Sequence, residues 1–286
     1  MGKLYERMCD DLKLRNYSGC TLLAYPNDVK RFVAHFMKPP EDLYEEHVRE
    51  FMLYLMGERK VSPATQHRYL AAIKFFYRVT LGRPGVVEGI PFPKLPKTLH
   101  DTLSRQEVKH ILGLIRPIKH RTIFKISYGA GLRISEACTL QFGDIDRQQR
   151  LIHVRAGKGR KDRYVMLGER LLHSLVEYYK RLRPPGPYFF PGRRPDRPIS
   201  PKTPSKVLRT KCDEAGIVKR VTTHSFRHAF ATHLIEAGTD VRIVQLLLGH
   251  SSIQTTTLYT QVSAKHIARV TSPLDMQEDP PTPAPR

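Results

Sequence analysis

The stretch "THSFRHAFATHL", residues 223–234, places three histidines and one arginine at helical spacing. His224 and His228 are four residues apart, so they share one helix face and have the spacing of a shared metal site. However, the H-E-x-x-H pattern of helical zinc sites is missing, and Arg227 next to His228 repels a cation. We therefore expect no metal at this stretch.

An anion fits the beginning of this helix better than a metal does. His224 and Arg227 are three residues apart in its first turn, where the helix dipole favours negative charge. A histidine and an arginine that face the same way suit a phosphate group. We interpret His228 and His233 as structural, the latter because apolar residues surround it in the sequence.

The charge of the chain also points to a polyanion. The 286 residues carry a formal net charge of +21 with a pI near 10.0. Residues 150–220 alone hold 19 Lys/Arg against 6 Asp/Glu, a concentration that an evenly solvated surface would not show. The phosphate-loop pattern G-x-x-x-x-G-K-[ST] is absent, and "GAGLRI" lacks the third glycine of G-x-G-x-x-G. The sequence predicts a nucleic-acid partner and no nucleotide or metal cofactor.

The cysteines and the apolar runs narrow the cellular setting. The four cysteines form no C-x-x-C pair, so we expect reduced thiols and neither a disulfide framework nor a zinc ribbon. No run approaches the roughly 18 apolar residues of a membrane span, and the first residues lack the apolar core of a signal peptide. These features predict a cytoplasmic protein without a membrane partner.

Helical patterns fill residues 1–84. "HVREFMLYLM" has apolar residues at helical spacing, and Ser62 followed by Pro63 is typical of a helix start. Pro26 is expected either to kink an earlier helix or to mark its first turn. No strand pattern of any length occurs in this part, which predicts an all-α domain.

A second, mixed domain is expected after a linker. Residues 85–103 are rich in Pro and Gly and lack periodicity, and Ser104 with Glu107 then forms a capping-box pattern. Within residues 104–272, apolar and polar residues alternate on both sides of "GKGRK", which predicts a β-hairpin with a basic turn among helices. The Pro-rich residues 273–286 are expected to be a disordered tail. The predicted fold class is mainly α with a small antiparallel sheet.

Four stretches occur together in this second part: "GAGLRISEACTL", "GKGRKDR", "HSFRHAFATHLIEAG" and "LLGHSSIQTTTLYT". In content and order they resemble the tyrosine recombinases, the phage integrase family that includes Xer recombinases and integron integrases. The N-terminal helices look like the SAM-like core-binding domain of that family, so the resemblance covers roughly residues 10–262. It implies a helical core-binding domain and a mostly helical catalytic domain that form a C-shaped clamp around duplex DNA.

The resemblance also implies a nucleophile and a phosphate clamp. Tyr259 would attack a DNA phosphodiester, form a 3′-phosphotyrosine and release a 5′-hydroxyl. Arg133 and Arg227 would bind the nonbridging oxygens, where negative charge builds up in the transition state. Without the resemblance, Tyr259 would be interpreted as a packed aromatic residue, since the chain has 13 tyrosines. Arg133 would be interpreted as an exposed side chain at a helix start.

Further residues complete the implied site. Lys158 would protonate the leaving 5′-oxygen, although Arg160 and Lys161 compete for that role in the same turn. His224 and His250 would complete the phosphate-binding set and assist proton transfer. The basic residues of the hairpin are expected to contact the DNA backbone: Lys158, Arg160, Lys161 and Arg163.

Glu136 lies three residues after Arg133, and we expect it to orient that arginine or its helix rather than to take part in the chemistry. A tyrosine with a pKa of about 10 needs surrounding cations or a base to become a nucleophile. Arginines, a lysine and histidines supply that field without a metal, and the phosphotyrosine conserves bond energy for religation without ATP.

The implied partners are double-stranded DNA with inverted-repeat core sites and further copies of the chain. Members of the family act as homotetramers in the synaptic complex. This is compatible with a chain that is a monomer when free in solution. A segment after the tyrosine usually docks on a neighbouring subunit, and "VSAKHIARVTSPLDM" is the candidate. The implied location is the bacterial cytoplasm, in association with the nucleoid.

Two other readings share these residues. A type IB topoisomerase or a hairpin-forming resolvase uses the same tyrosine chemistry with relaxation or end closing as the outcome. A catalytically silent DNA-binding accessory protein would keep the fold alone, but the presence of all the matched residues argues against it.

Overall fold

We describe the protein from a computed structural model, in which residues 2–94, 102–155, 162–249 and 270–276 are described. The chain divides into two compact units, Met1–Leu99 and His100–Arg286, each with its own apolar core. Within the described ranges no helix is both long and apolar enough to cross a bilayer.

The first unit is helical throughout its described part. Its helices are α1 (Gly2–Leu14), α2 (Gly19–Phe36), α3 (Glu45–Gly57), α4 (Pro63–Phe75) and α5 (Gly85–Glu88). A 3₁₀ turn at Pro40–Asp42 precedes α3, and a π-helical turn at Phe76–Thr80 extends α4. The helical periodicity of α3 is confirmed by the burial of its apolar positions Val48, Phe51, Met52 and Leu55. Ser62 caps α4 as predicted, and its Oγ accepts from the Thr65 amide.

Pro26 neither ends nor begins a helix. Helix α2 starts seven residues earlier at Gly19, where the Ser18 Oγ accepts from the Thr21 amide, and it runs through Pro26 without interruption. A proline inside a helix removes one backbone hydrogen bond. The Asn27 side chain donates to the Leu23 carbonyl at 2.7 Å in the same turn. Burial of Pro26 against the core favours the continuous helix despite the lost bond.

The first part of the predicted linker, residues 85–103, belongs to the first unit. Val86, Val87 and Ile90 are buried in its core, and residues 85–88 form α5. At the other end, Leu103 is buried in the second core. The Pro and Gly content of residues 85–103 indicated a linker. However, apolar residues near its two ends are buried in the core of the first unit and in the core of the second unit.

The second unit has seven helices and three strands in its described part. They are α6 (Arg105–Leu114), α7 (Ile118–Gly129), α8 (Ile134–Cys138), β1 (Ile145–Asp146), β2 (Leu151–Val154), β3 (Arg163–Met166), α9 (Glu169–Leu182), α10 (Lys202–Glu214), α11 (Thr223–Glu236) and α12 (Val241–Leu248). The Ser104–Glu107 capping box at the start of α6 is confirmed, with both reciprocal bonds present.

The strands form one antiparallel sheet in the order β1-β2-β3, which confirms the mainly α class with a small antiparallel sheet. Residues 155–162 connect β2 to β3, and Val154 pairs with Arg163 at the end of the ladder nearest that connection. Helix α7 lies in the middle of the unit and packs against α9 and α11. Contacts of α7 with α8 and α11, of α11 with α12, and of α12 with β3 bring α8, β3, α11 and α12 to one region.

Residues Val270–Met276 pack on the chain's own second unit. The buried Ser272 Oγ donates to the Gly129 carbonyl at 2.6 Å, and Asp275 accepts from the Arg170 amide at 2.8 Å in the first turn of α9. Leu274 packs against the core. The first four residues of the predicted disordered tail, 273–286, are therefore part of the fold, and the remainder of that prediction lies outside the described residues. The final seven residues of the segment that we expected to dock on a neighbouring subunit contact their own subunit.

Candidate functional site

A single carboxylate, Glu136, lies at the centre of the described part of the site. The chain leaves α7 through Gly131, whose φ of +67° suits glycine, and Arg133 then caps the short helix α8. Glu136 occupies the third position of α8 and accepts from the Arg133 backbone N at 2.8 Å and from its Nη1 at 2.7 Å. The expected orientation of Arg133 by Glu136 is present in this geometry.

Arg227 reaches the same place from the middle of α11. Its side chain is only 5% exposed, and its Nη1 donates to the Gly131 carbonyl at 2.6 Å. Its Nη2 donates to the Leu248 carbonyl at the end of α12. Nη1 also lies 3.8 Å from a Glu136 oxygen. Arg227 thus joins the turn before Arg133 to the end of α12, while Arg133 and Arg227 share one carboxylate.

Arg163 is the third arginine on Glu136. Its Nη1 and Nη2 donate to the two carboxylate oxygens at 3.1 and 2.7 Å, and its Nε donates to the Leu247 carbonyl at 2.8 Å. The side chain is 8% exposed. This placement departs from the expectation of a DNA backbone contact, because the Nε, Nη1 and Nη2 of Arg163 all bond to protein acceptors.

A signal for this placement was present in the sequence. Side chains alternate along a strand, so Arg163 and Val165 share a face, and Val165 is fully buried. Val154, the partner of Arg163 across the ladder, is also buried. The basic composition of the hairpin concealed this inward-facing register.

The arginines control the titration of the carboxylate. Burial acts to raise the pKa of Glu136, but the hydrogen bonds and charges of Arg163 and Arg133 outweigh it and lower the pKa to about 2. Burial, together with the positive charge of Arg133, lowers the pKa of Arg227 to about 9. Three guanidiniums face one carboxylate, so the cluster carries an excess of positive charge at neutral pH.

His224 lies in the first turn of α11, one turn before Arg227, and keeps an exposed face. Partial burial and the charges of His228, Arg227 and Arg133 lower the pKa of its imidazole. The rings of His224 and His228 are 5.5 Å apart between centroids. Among the residues that the structure describes, no group of three His, Cys, Asp or Glu side chains could hold a metal ion.

His228 and His233 occupy different environments on α11. His233 is buried, and its Nδ1 lies 2.9 Å from the Tyr128 hydroxyl on α7, in line with the structural interpretation. His228 is exposed and lies on the same side of the helix as His224. The three histidines of residues 223–234 therefore do not form one site.

Five of the expected site residues lie outside the described ranges. They are Lys158, Arg160, Lys161, His250 and Tyr259. Two described residues near these gaps lie in or against the cluster around Glu136. Arg163 opens the strand after residues 156–161, and Gly249, the cap of α12, immediately precedes His250.

Comparisons with known proteins identify the class. Residues 101–266 match the model of the phage integrase family, and residues 4–85 match that of the phage integrase N-terminal SAM-like domain. A Sinorhizobium fredii protein with the provisional name integrase/recombinase y4qK is 43% identical, over 100% of this chain and 93% of its own. Tyrosine recombinase XerA of Pyrococcus furiosus is 34% identical, over 97% and 96% of the two chains. The chain belongs to the phage integrase family, and its enzyme class is that of the tyrosine recombinases.

Solved structures agree with this fold. A lambda integrase tetramer bound to a Holliday junction superposes with a TM-score of 0.72 at 19% identity, over 89% of this chain and 78% of the other. XerH bound to its difH substrate superposes with a TM-score of 0.68 at 23% identity, over 91% and 82%. At these identities the likeness establishes the fold, which confirms the expected SAM-like and mostly helical catalytic domains.

Proposed function

We propose that the chain cleaves and rejoins duplex DNA at specific sites through a 3′-phosphotyrosine at Tyr259, with Arg133 and Arg227 as the clamp on the scissile phosphate. One observation carries the proposal: two arginines 94 positions apart in the sequence meet at one buried carboxylate. A phosphodiester that enters the cluster would meet the positive charge that Glu136 does not balance.

The excess charge suits the reaction that the family implies. Attack by Tyr259 on phosphorus places additional negative charge on the nonbridging oxygens, and guanidinium N–H donors already held in place stabilise it. The Tyr259–phosphorus bond forms as the bond to the 5′-oxygen breaks, so the phosphodiester is conserved as a phosphotyrosine. Religation is the reverse, with a 5′-hydroxyl as the nucleophile.

Proton transfer falls to the remaining residues of the site. Tyr259 must lose a proton and the leaving 5′-oxygen must gain one. Partial burial and the neighbouring positive charges lower the pKa of His224, which favours an imidazole that donates a hydrogen bond to phosphate or accepts a proton. We assign protonation of the leaving group to Lys158 and assistance at the phosphate to His250. Arg160 and Lys161 are assigned to the DNA backbone.

The proposed partners are DNA and copies of the same chain. The charge of residues 150–220 supports binding to duplex DNA, and the structural neighbours include XerH bound to its difH substrate and a lambda integrase tetramer bound to a Holliday junction. We propose core sites with inverted repeats and a homotetramer in the synaptic complex. A DNA substrate also implies that the protein acts at the nucleoid.

A suicide substrate tests the chemistry. The target is first recovered by sequencing DNA that is covalently bound to the protein in its host, and a duplex with that site is nicked so that cleavage cannot reverse. We expect a covalent adduct with the wild-type chain, none with Tyr259→Phe, and a normal yield with Tyr179→Phe, which removes a half-exposed hydroxyl on α9. Chelators should leave the yield unchanged.

Other outcomes would contradict the proposal or change the enzyme class. An adduct that survives Tyr259→Phe, or the absence of any adduct with the wild-type chain, would contradict the proposal. Recombination of two sites on one plasmid separates a recombinase from a topoisomerase, which would only relax the supercoils of a plasmid with a single site.

A further inference from the structure

Arg163 has a position that a DNA contact does not explain. It is the first residue of β3, its backbone is fixed by pairing with Val154, and its side chain points into the second unit. Burying a guanidinium is costly unless acceptors satisfy it. The acceptors here are both oxygens of Glu136 and the carbonyl of Leu247.

The contact with Glu136 links β3 to the phosphate clamp. Arg163 binds the carboxylate in a bidentate fork, a geometry that a guanidinium provides and an ammonium does not. Arg133 donates to the same two oxygens from its Nη1 and its backbone N. Because Arg163 fixes the plane of the carboxylate, it fixes where the Arg133 guanidinium can lie.

The contact with α12 links β3 to the chain that leads to His250. Arg163 bonds to the carbonyl of Leu247 and Arg227 to that of Leu248, so two arginines hold consecutive carbonyls at the helix end. Gly249 caps α12 with φ +62°, and a Cβ built there would lie 3.1 Å from the Arg163 Cδ and 3.4 Å from its Nε. The glycine therefore permits both the left-handed cap and the close approach of the guanidinium.

We propose that Arg163 is a positioning residue for strand cleavage: through Glu136 it orients Arg133, and through Leu247 and Gly249 it sets the direction in which the chain leaves α12 towards His250. This inference rests on the proposed function. The two possible roles of Arg163 make different predictions. A positioning residue affects the rate of cleavage, whereas a phosphate contact affects the affinity for DNA.

The central experiment compares Arg163→Lys with Arg155→Lys. Arg155 is a matched control, because it flanks the same β2–β3 connection and pairs with a buried carboxylate, Asp144, at 2.5 Å. Both changes keep the charge. For each protein we would measure affinity for a random-sequence duplex over a range of salt concentrations, and then the single-turnover rate of adduct formation on the nicked core site at saturating DNA.

We expect Arg163→Lys to slow adduct formation on the order of 10- to 100-fold, because a misplaced phosphate clamp costs transition-state stabilisation. The affinity should stay within about twofold and the salt slope should not change. Arg155→Lys should resemble the wild type in all three quantities. A clearly weaker affinity for the duplex, with an unchanged cleavage rate, would instead identify Arg163 as a phosphate contact and overturn the proposal.

A double-mutant cycle tests the route through Arg133. If Arg163 acts by orienting Arg133, then Arg163→Lys should cost little further rate in a chain that already carries Arg133→Gln. Fully additive losses would overturn this route. Because the comparison is between rates of the same step, a uniform loss of folded protein does not produce the expected non-additivity.

Gly249→Ala provides a second variant that leaves Arg163 intact. Gly216 is its control, because it has a similar φ of +65° but nothing within 4 Å of an added Cβ. Both substitutions strain the backbone, but only Gly249→Ala should also slow adduct formation, and equal rates for the two would overturn the role of Gly249. A wild-type chain that forms no adduct would defeat the proposed function itself, whereas a wild-type adduct with full activity in Arg163→Lys would defeat only the inference about Arg163.

Discussion

Each unit of the chain contains a buried carboxylate that accepts a bidentate arginine, and the two are held in different ways. In the first unit, Asp28 is 4% exposed and its partner Arg68, at 2.8 and 3.0 Å, is 45% exposed. In the second, Glu136 is 9% exposed and faces three arginines that are more buried than Arg68. Asp28 has one bidentate partner, which is half-exposed, while Glu136 faces three mostly buried arginines whose charge it does not balance.

The pKa shifts of the two carboxylates have opposite signs. Burial raises the pKa of Asp28 above its usual range, and the hydrogen bond and charge of Arg68 only partly oppose it. At Glu136 the arginines outweigh burial, and the pKa falls to about 2. A pair that only links two helices does not need surplus charge, whereas a site that receives a phosphate does. The excess of guanidiniums at Glu136 fits the proposed phosphate clamp, and the Asp28 pair has no such excess.

Removal of the central charge should have the largest effect. Glu136→Gln leaves three arginines without their carboxylate, and the loss of one partner of a buried ion pair typically costs about 3–5 kcal/mol of unfolding free energy. Asp28→Asn should cost about 1 kcal/mol or less, because Arg68 can turn to solvent. Hydrogen exchange along a urea titration would follow each unit separately. Comparable losses in the two units would contradict the distinction drawn here.

The pH dependence should differ in sign between the two sites. The folded pKa of Glu136, about 2, lies below the ordinary value of 4.5, so its contribution is complete above about pH 4.5 and is lost as the pH falls towards 2. The loss amounts to at most about 3 kcal/mol. Asp28 has a raised pKa, so its contribution is present at low pH and is lost as the pH rises through that value.

Stability of each unit between pH 6 and pH 3 would check this prediction. The steep acid loss of the second unit should flatten in Glu136→Gln. Asp28→Asn should remove the opposite, shallower dependence of the first unit. An acid profile of the second unit that Glu136→Gln leaves unchanged would show that other groups control it.

Replacement of a single arginine by lysine should have the smallest effect and still separate the sites. Arg227→Lys exchanges a buried fork that bonds to two carbonyls for a point charge, and we expect a loss of about 2 kcal/mol. Arg68→Lys keeps a half-exposed pair and should cost less than about 1 kcal/mol. The same unit-resolved titration measures both, and a larger loss for Arg68→Lys would reverse the expected order.

Much of the fold could be predicted from the sequence, because helix caps and strand alternation depend on residues that are neighbours in the chain. Ser62 and the Ser104–Glu107 box started helices where predicted, and the predicted hairpin formed on either side of residues 156–161. The sequence left open whether Pro26 lies inside a helix or in its first turn, because the packing that offsets one lost backbone bond is not part of a local pattern.

For the site, the sequence identified individual residues better than their arrangement. Motifs named Arg133 and Arg227, but no spacing rule brings residues 94 positions apart to one carboxylate. Arg163 was expected at the DNA because charge dominates the composition of its hairpin, although the burial of Val154 and Val165 on the same face placed it inside. The role of Gly249 depends on a side chain 86 positions earlier, which only the assembled fold reveals.

The docked segment Val270–Met276 has a practical consequence for anyone who shortens or fuses this chain. Deletion of residues 277–286 leaves the bonds of Ser272 to Gly129 and of Asp275 to Arg170 intact, whereas deletion of the last seventeen residues removes both. An affinity tag or reporter should therefore follow Met276. For engineering, the second unit includes this docked segment, which lies well beyond the last helix of the described ranges.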